Sequence, residues 1–247
     1  SEVPRAGGTR GLFPHLFLDR AKPGLIAVND RGERFVDEAC SYHHFVEGML
    51  RPHGSAVATP CWLVCDAAFV RRYGLGVIPP GTRTLQPWVD RGYLVTAATV
   101  EALAQRLGID AVGLAPTVAR SNQFARSGKD EDFGKGRTEL DRFNGDPAGG
   151  ANPCLGPIDT PPFCALALWP ADAASSAGLA TDTHGRVLSA DGAPIPGLYA
   201  CGNDAASVMR GRYPGPGTTL GPAIVAAYRI GLHASRSPSS HPACTTP

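Results

Sequence analysis

Apolar positions recur three and four residues apart in several stretches of the chain. In "TVEALAQRLG", Val100, Leu103 and Leu107 share one face, Thr99 stands where an N-cap is needed and Gly108 where a helix stops, so the spacing predicts a helix. "DAVGLAPTVARSNQFARSG" repeats the pattern with Leu114, Val118 and Phe124 between Asp110 and Gly128. A shorter helix is predicted over "SYHHFVEGML", where Phe45, Met49 and Leu50 follow Ser41 as cap. "TLGPAIVAAYRIGLHAS" reads as one apolar helix, with Pro222 in the first turn where a missing N–H costs nothing.

Short apolar runs predict strands at "HLFLDR", "GLIAVN", "CWLVCDAAF", "GYLVTAAT" and "PPFCALALWP". Asp30, Arg31 and Gly32 supply turn chemistry for a hairpin, and "GRVLSADGAPIPGLYACG" alternates strand and tight turn. "KDEDFGKGRTELDRFNGDP" is charged and punctuated by Gly and Asp, so an ordered surface loop is expected there. The texture changes between residues 150 and 165, which suggests a domain boundary, and "SRSPSSHPACTTP" reads as a frayed tail. There is no internal repeat.

The chain has 247 residues, enough for one large domain or two modest ones, and its formal net charge of +1 makes no electrostatic case for nucleic acid or an anionic membrane. No run approaches a membrane span, and the start lacks a signal-peptide layout. The seven cysteines form no CxxC pair and no zinc spacing, so no metal site is expected; an odd count in apolar surroundings favours buried thiols and a cytoplasmic location.

The stretch "YPGPGTTLGPAI", from Tyr213, is a stiffened loop that launches a helix. It either shapes a connection or presents unpaired N–H groups and a partial positive charge to an electron-rich ligand. Together, "GRVL..DGAPIPGLYACGNDAA", "YPGPGTTLGPAIVAAYRIG", "GERFVDEACSYHHF" and "ARSGKDEDFGKG....DRFNGDP" resemble, in order and over nearly the whole chain, the FAD-dependent fumarate reductase/3-ketosteroid dehydrogenase superfamily. The GxGxxG turn that begins such proteins has no counterpart here, since "RAGGTRG" and "FGKG" have the wrong spacing. The resemblance therefore implies an α+β chain without the N-terminal GxGxxG half: a substrate-capping domain with mixed sheet and helices over 1–160, the C-terminal part of an FAD-binding α/β domain over 161–236, and a tail over 237–247.

The resemblance also assigns roles. Gly202, Asn203 and Asp204 would lie along the ribityl chain of FAD, and the Thr219 and Leu220 N–H groups would face the pyrimidine end of the flavin; the alternative for Asn203 is a turn residue. Tyr213 and the Gly217 N–H would polarise a ketone oxygen, and Tyr42 would abstract a proton, with His43 and His44 beside it to help; Tyr213 alone also fits a packing role. Where dicarboxylate reductases carry histidines, this chain reads "ADAASSAGL", which favours a small neutral, apolar substrate. Arg34, Asp37 and Glu38 are expected to form ion pairs where the cap packs on the flavin domain.

The implied activity is hydride transfer between a ketone or enone, such as a 3-ketosteroid, and flavin. The alternatives are a flavin-dependent reductase of an activated C=C bond, and an isolated domain that is inert without the missing half or fills that interface as a homodimer.

Overall fold

The computed structural model describes residues 1–16, 19–52, 58–213, 215 and 217–236, and it divides into two compact units, Ser1–Pro170 and Ala171–Pro247. Helices and antiparallel strands are mixed along the chain. The first unit opens with a small hairpin, β1 (Glu2–Pro4) and β2 (Arg10–Leu12). Its centre is a four-stranded antiparallel sheet of β3 (Ile26–Val28), β4 (Cys61–Asp66), β5 (Val95–Ala97) and β6 (Phe163–Leu168), in the order β3-β4-β6-β5.

Alternation along these strands divides the core in two. Leu63 and Cys65 on β4 and Cys164 and Leu166 on β6 face one side, where Phe45 and Met49 of α1 (Tyr42–Leu50) and Phe69 and Val70 of α2 (Ala67–Tyr73) cover them. Trp88 of a short α3 (Gln86–Asp90) packs at the same side. Val64 and Ala165 face the other side, under Leu103 of α4 (Val100–Leu107) and Leu114 and Val118 of α5 (Ala111–Ser127). With both faces covered, the strands tolerate apolar residues at every position.

The helix signals act locally as the sequence predicts. The side chains of Ser41, Thr99 and Asp110 accept N–H bonds from His44, Ala102 and Val112, and Gly108 and Gly128 close α4 and α5 in the left-handed region, at φ 69° and 73°. Helix α5 crosses the turn after β3 at very close range, since a Cβ on Gly113 would stand 1.8 Å from the Arg31 carbonyl oxygen.

Three expectations change. The strand expected through Phe69 ends at Asp66, whose carboxylate accepts the Phe69 N–H at 2.9 Å and so caps α2. The charged stretch after Gly128 contains a helix, α6 (Glu139–Asn144), started by a capping box between Thr138 and Asp141 that the sequence spells as T-E-L-D. In "HLFLDR", Phe17 and Leu18 lie outside the described residues, while Leu16, Asp19 and Arg20 sit in bends and turns rather than a strand.

The second unit holds a hairpin, β7 (Arg186–Leu188) and β8 (Pro194–Tyr199), and the long α7 (Leu220–Arg236). Among the described residues of this unit, Val187, Ala200 and Ala205 form the buried apolar cluster, and no residue of α7 is buried. Residues 237–247, expected as a tail, lie outside the described residues. Among the described residues, no helix is long and apolar enough to cross a membrane.

Candidate functional site

A cavity of about 470 Å³ opens in the second unit between the turn that follows β8 and the start of α7. Its first wall is set by backbone. After β8 the chain makes a single turn over Gly202–Asp204, with Gly202 at φ 65°. The Asp204 carbonyl accepts the Leu179 N–H at 2.8 Å, and the Ala206 N–H donates back to Leu179 at 2.9 Å. Gly178 makes this approach possible: a Cβ there would stand 2.3 Å from the Asp204 oxygen.

The second wall is the first two turns of α7. Helical bonds begin with the Gly221 N–H on Gly217 O at 3.1 Å and the Ala223 N–H on Thr219 O at 3.1 Å. A helix start leaves its earliest N–H groups without helical partners, so this end carries partial positive charge. Pro222, Ala223 and Ala226 line the cavity with small side chains, and Arg229 brings a cation one turn further along.

Asp182 also lines the cavity. Desolvation works to raise its carboxyl, but the Arg186 guanidinium at 2.6 and 2.7 Å and the His184 and Arg186 N–H groups outweigh it and bring the value down to about 2. Asp182 is thus a fixed anion that closes the β7 turn.

Of the residues singled out from sequence, Gly202, Asn203 and Thr219 share this cavity. Asp204 serves the wall through its carbonyl, while its side chain is exposed, and Leu220 is exposed at the head of α7. Tyr213 is half-buried and Gly217 stands at φ 91°, both in the loop before α7; Pro214 and Pro216 of that loop lie outside the described residues. Thr181, Asp182 and Arg229 were missed from sequence. Arg229 was within reach, since 219, 222, 226 and 229 follow one another at helical spacing.

Tyr42 belongs to the first unit, at the first position of α1. His43 Nε2 lies 3.4 Å from Glu47 Oε1, one turn further on. Ahead of α1, the segment Arg34–Glu38 is buried in charge. Arg34 pairs with Glu38 at 2.8 Å and with Asp130 at 2.9 Å, and Lys135 Nζ lies 3.3 Å from Glu38 and donates to Leu25 O at 2.6 Å. Burial raises the Glu38 and Asp130 carboxyls, but Arg34, with Lys135 in the case of Glu38, outweighs it and holds both below the ordinary range. The expected ion pairing of Arg34 and Glu38 is therefore present, and it lies inside the first unit. Asp37 goes the other way: burial first, then the Asp141 and Glu38 charges, push it up to about 7. Among the described residues, no group of three or more His, Cys, Asp or Glu could hold a metal ion.

A family model described as "FAD binding domain" matches residues 3–220. The chain is 42% identical over 94% of its length to a 4-oxocyclohex-2-ene-1-carboxylate 5-dehydrogenase of Sinomonas cyclohexanicum, covering 39% of that relative. It is also 42% identical to a 3-oxosteroid 1-dehydrogenase of Mycobacterium tuberculosis, over 87% of this chain and 39% of the relative. A crystal structure of 3-ketosteroid delta1-dehydrogenase from Sterolibacterium denitrificans, in complex with 1,4-androstadiene-3,17-dione, superposes with a TM-score of 0.87 at 39% identity, covering 95% of this chain and 43% of the other. The chain thus spans about two fifths of the length of the relatives it matches.

Proposed function

This chain belongs to the FAD-binding domain family, whose cofactor is FAD, and on that premise we propose that it is part of a flavin-dependent dehydrogenase that introduces a C=C bond beside the carbonyl of a neutral, apolar cyclic ketone. The observation that carries the reading is the cavity where Gly202, Asn203 and Thr219 meet at the start of α7. Its residues fit one end of the cofactor. Small side chains leave room for a flat ring, the Gly202–Asp204 turn offers backbone along a ribityl-like chain, and the head of α7 favours negative charge. In this reading Gly202, Asn203 and Asp204 flank the ribityl, and Thr219 and Leu220 aim N–H groups at the ring.

We assign the segment up to about residue 160 to a substrate cap and the segment from 161 to 236 to the returning part of an FAD-binding domain. The remaining length seen in the relatives supplies the dinucleotide-binding half and covers the apolar residues that α7 exposes.

Bound FAD supplies the hydride acceptor. The chain's own residues prepare the substrate. The Tyr213 hydroxyl and the Gly217 N–H hold the carbonyl oxygen and stabilise the charge that gathers there once the α-hydrogen leaves. Tyr42 takes that α-hydrogen as a proton, and the β-hydrogen departs with its electron pair. One proton and one hydride leave, and one C=C bond forms. A phenol needs help from its neighbours to act as a base near neutrality, a part we give to His43 and His44 beside Tyr42.

The test is anaerobic titration of the full-length protein that contains this chain with a saturated 3-ketosteroid, followed by flavin absorbance. Bleaching of the flavin band supports the reading. A bound flavin that this ketone does not reduce overturns it.

A further inference from the structure

On the role proposed for Tyr42 rests that of Arg20, which is 1% exposed. Among the described residues, its guanidinium makes hydrogen bonds to backbone carbonyls alone. Nε donates to His15 O at 2.8 Å. One terminal nitrogen donates to Glu38 O at 2.7 Å and Cys40 O at 3.4 Å, and the other to Leu16 O and to Cys40 O at 3.3 Å. The charged carbon also lies 4.5 Å over the centre of the Phe45 ring.

Burying a guanidinium is costly, and a packed apolar side chain of similar volume often serves stability as well. What the apolar chain cannot supply is a rigid fork of donors. Here the fork joins two separate segments. It holds His15 and Leu16 of one and Glu38 and Cys40 of the other. The second pair leads directly into α1, because only Ser41 separates the held Cys40 carbonyl from Tyr42, and Ser41 caps the helix through its side chain on the His44 N–H at 3.3 Å. Phe45, the ring under the guanidinium, stands one turn after Tyr42 on the same helix face. The backbone just before Tyr42 and the turn just after it therefore both bear on one cation.

We propose that Arg20 is a positioning residue, which fixes the first turn of α1 and so the place from which the Tyr42 phenol takes its proton. Catalytic groups lose effect when displaced by a fraction of an ångström, so a loosened first turn lowers turnover without changing how tightly substrate is held.

The experiment is a double-mutant cycle in the full-length protein. Tyr42→Phe lowers kcat by about a hundredfold or more, the range of a lost proton acceptor. Arg20→Lys keeps the charge and loses the fork. It lowers kcat by roughly tenfold with KM nearly constant, leaves flavin content unchanged, and adds nothing in the Tyr42→Phe background. Phe45→Leu gives a smaller loss of the same pattern, and it carries the cycle if Arg20→Lys does not fold. On this chain itself, isotope-labelled tyrosine shows the Tyr42 ring resonance shifted in Arg20→Lys. An equal loss of kcat in both backgrounds, or full rescue by Lys, overturns the positioning role while leaving the reaction assignment intact. Tyr42→Phe with undiminished kcat overturns both.

Discussion

The two units bury their apolar residues very differently. In the first, the sheet is covered on both faces, Leu63, Val64, Leu103 and Leu114 are fully buried, and even charged groups such as Glu38 and Arg20 lie inside. In the second, Val225 is 59% and Tyr228 69% exposed, and the buried apolar cluster is three small side chains. The first unit has a two-sided apolar core, while the second spends its regular structure on shaping a cavity and, among the described residues, leaves apolar side chains of α7 exposed. Stability should therefore respond to substitutions in the first unit and cofactor retention to substitutions in the second.

Several substitutions can break that comparison. The largest effect is expected from Glu38→Ala, which removes the carboxylate between Arg34 and Lys135 and leaves buried cations short of a partner. It should cost about 3–5 kcal/mol, read as the urea midpoint of the cooperative transition. Leu63→Ala, in the fully buried centre of β4, should cost about 2–5 kcal/mol by the same measurement. An unchanged midpoint for either would mean that the first unit is not the cooperative core.

Gly178→Ala sharpens the contrast from the other side. Its Cβ would meet the Asp204 carbonyl at 2.3 Å and push the Gly202–Asp204 turn out of place. The full-length protein should lose most of its flavin on gel filtration while the first unit's denaturant midpoint stays put.

The pH dependence follows from the opposed carboxyls. Asp37, pushed up to about 7 by burial and then by Asp141 and Glu38, binds its proton more tightly in the folded chain than in the unfolded one. Its contribution is fully present at acid pH, falls from about pH 4, where a free aspartate titrates, to about 7, and is flat above that. Glu38 and Asp130, held low, contribute above the ordinary carboxylate range and lose that contribution as pH falls through their lowered values. Asp37→Asn should remove the decline between about pH 4 and 7, which thermal melts across that range would show. A decline of equal size in the variant would assign it to other groups.

The smallest effect is expected for Val225→Ala, in the exposed face of α7. In this chain it should shift stability by no more than about 0.5 kcal/mol. A larger loss would show that α7 is covered in solution.

Much of the local structure was legible before folding. Ser41, Thr99 and Asp110 cap the helices they precede because capping needs only a side-chain oxygen and an N–H two or three residues on. The T-E-L-D box that starts α6 was equally local but was hidden in a charged stretch without apolar periodicity. Of the cavity residues, Gly202, Asn203 and Thr219 stood out through turn chemistry and family resemblance. Asp182, by contrast, entered through a turn remote in sequence, which no spacing connects to α7.

By itself, the sequence determined where α1 starts, where α4 and α5 start and stop, which loop launches α7, and the absence of charge suited to nucleic acid, since these depend on neighbouring residues or on composition. Tertiary structure alone decided the rest. It paired β6 with β4, some hundred residues earlier, in the register that sets Cys164 opposite Cys65, and it brought Asp130 onto Arg34. It also buried Arg20 among four carbonyls at the foot of α1. The physical reason is common to all three: a strand edge, a carboxylate and a guanidinium each accept many partners, and only the closed core leaves one within reach.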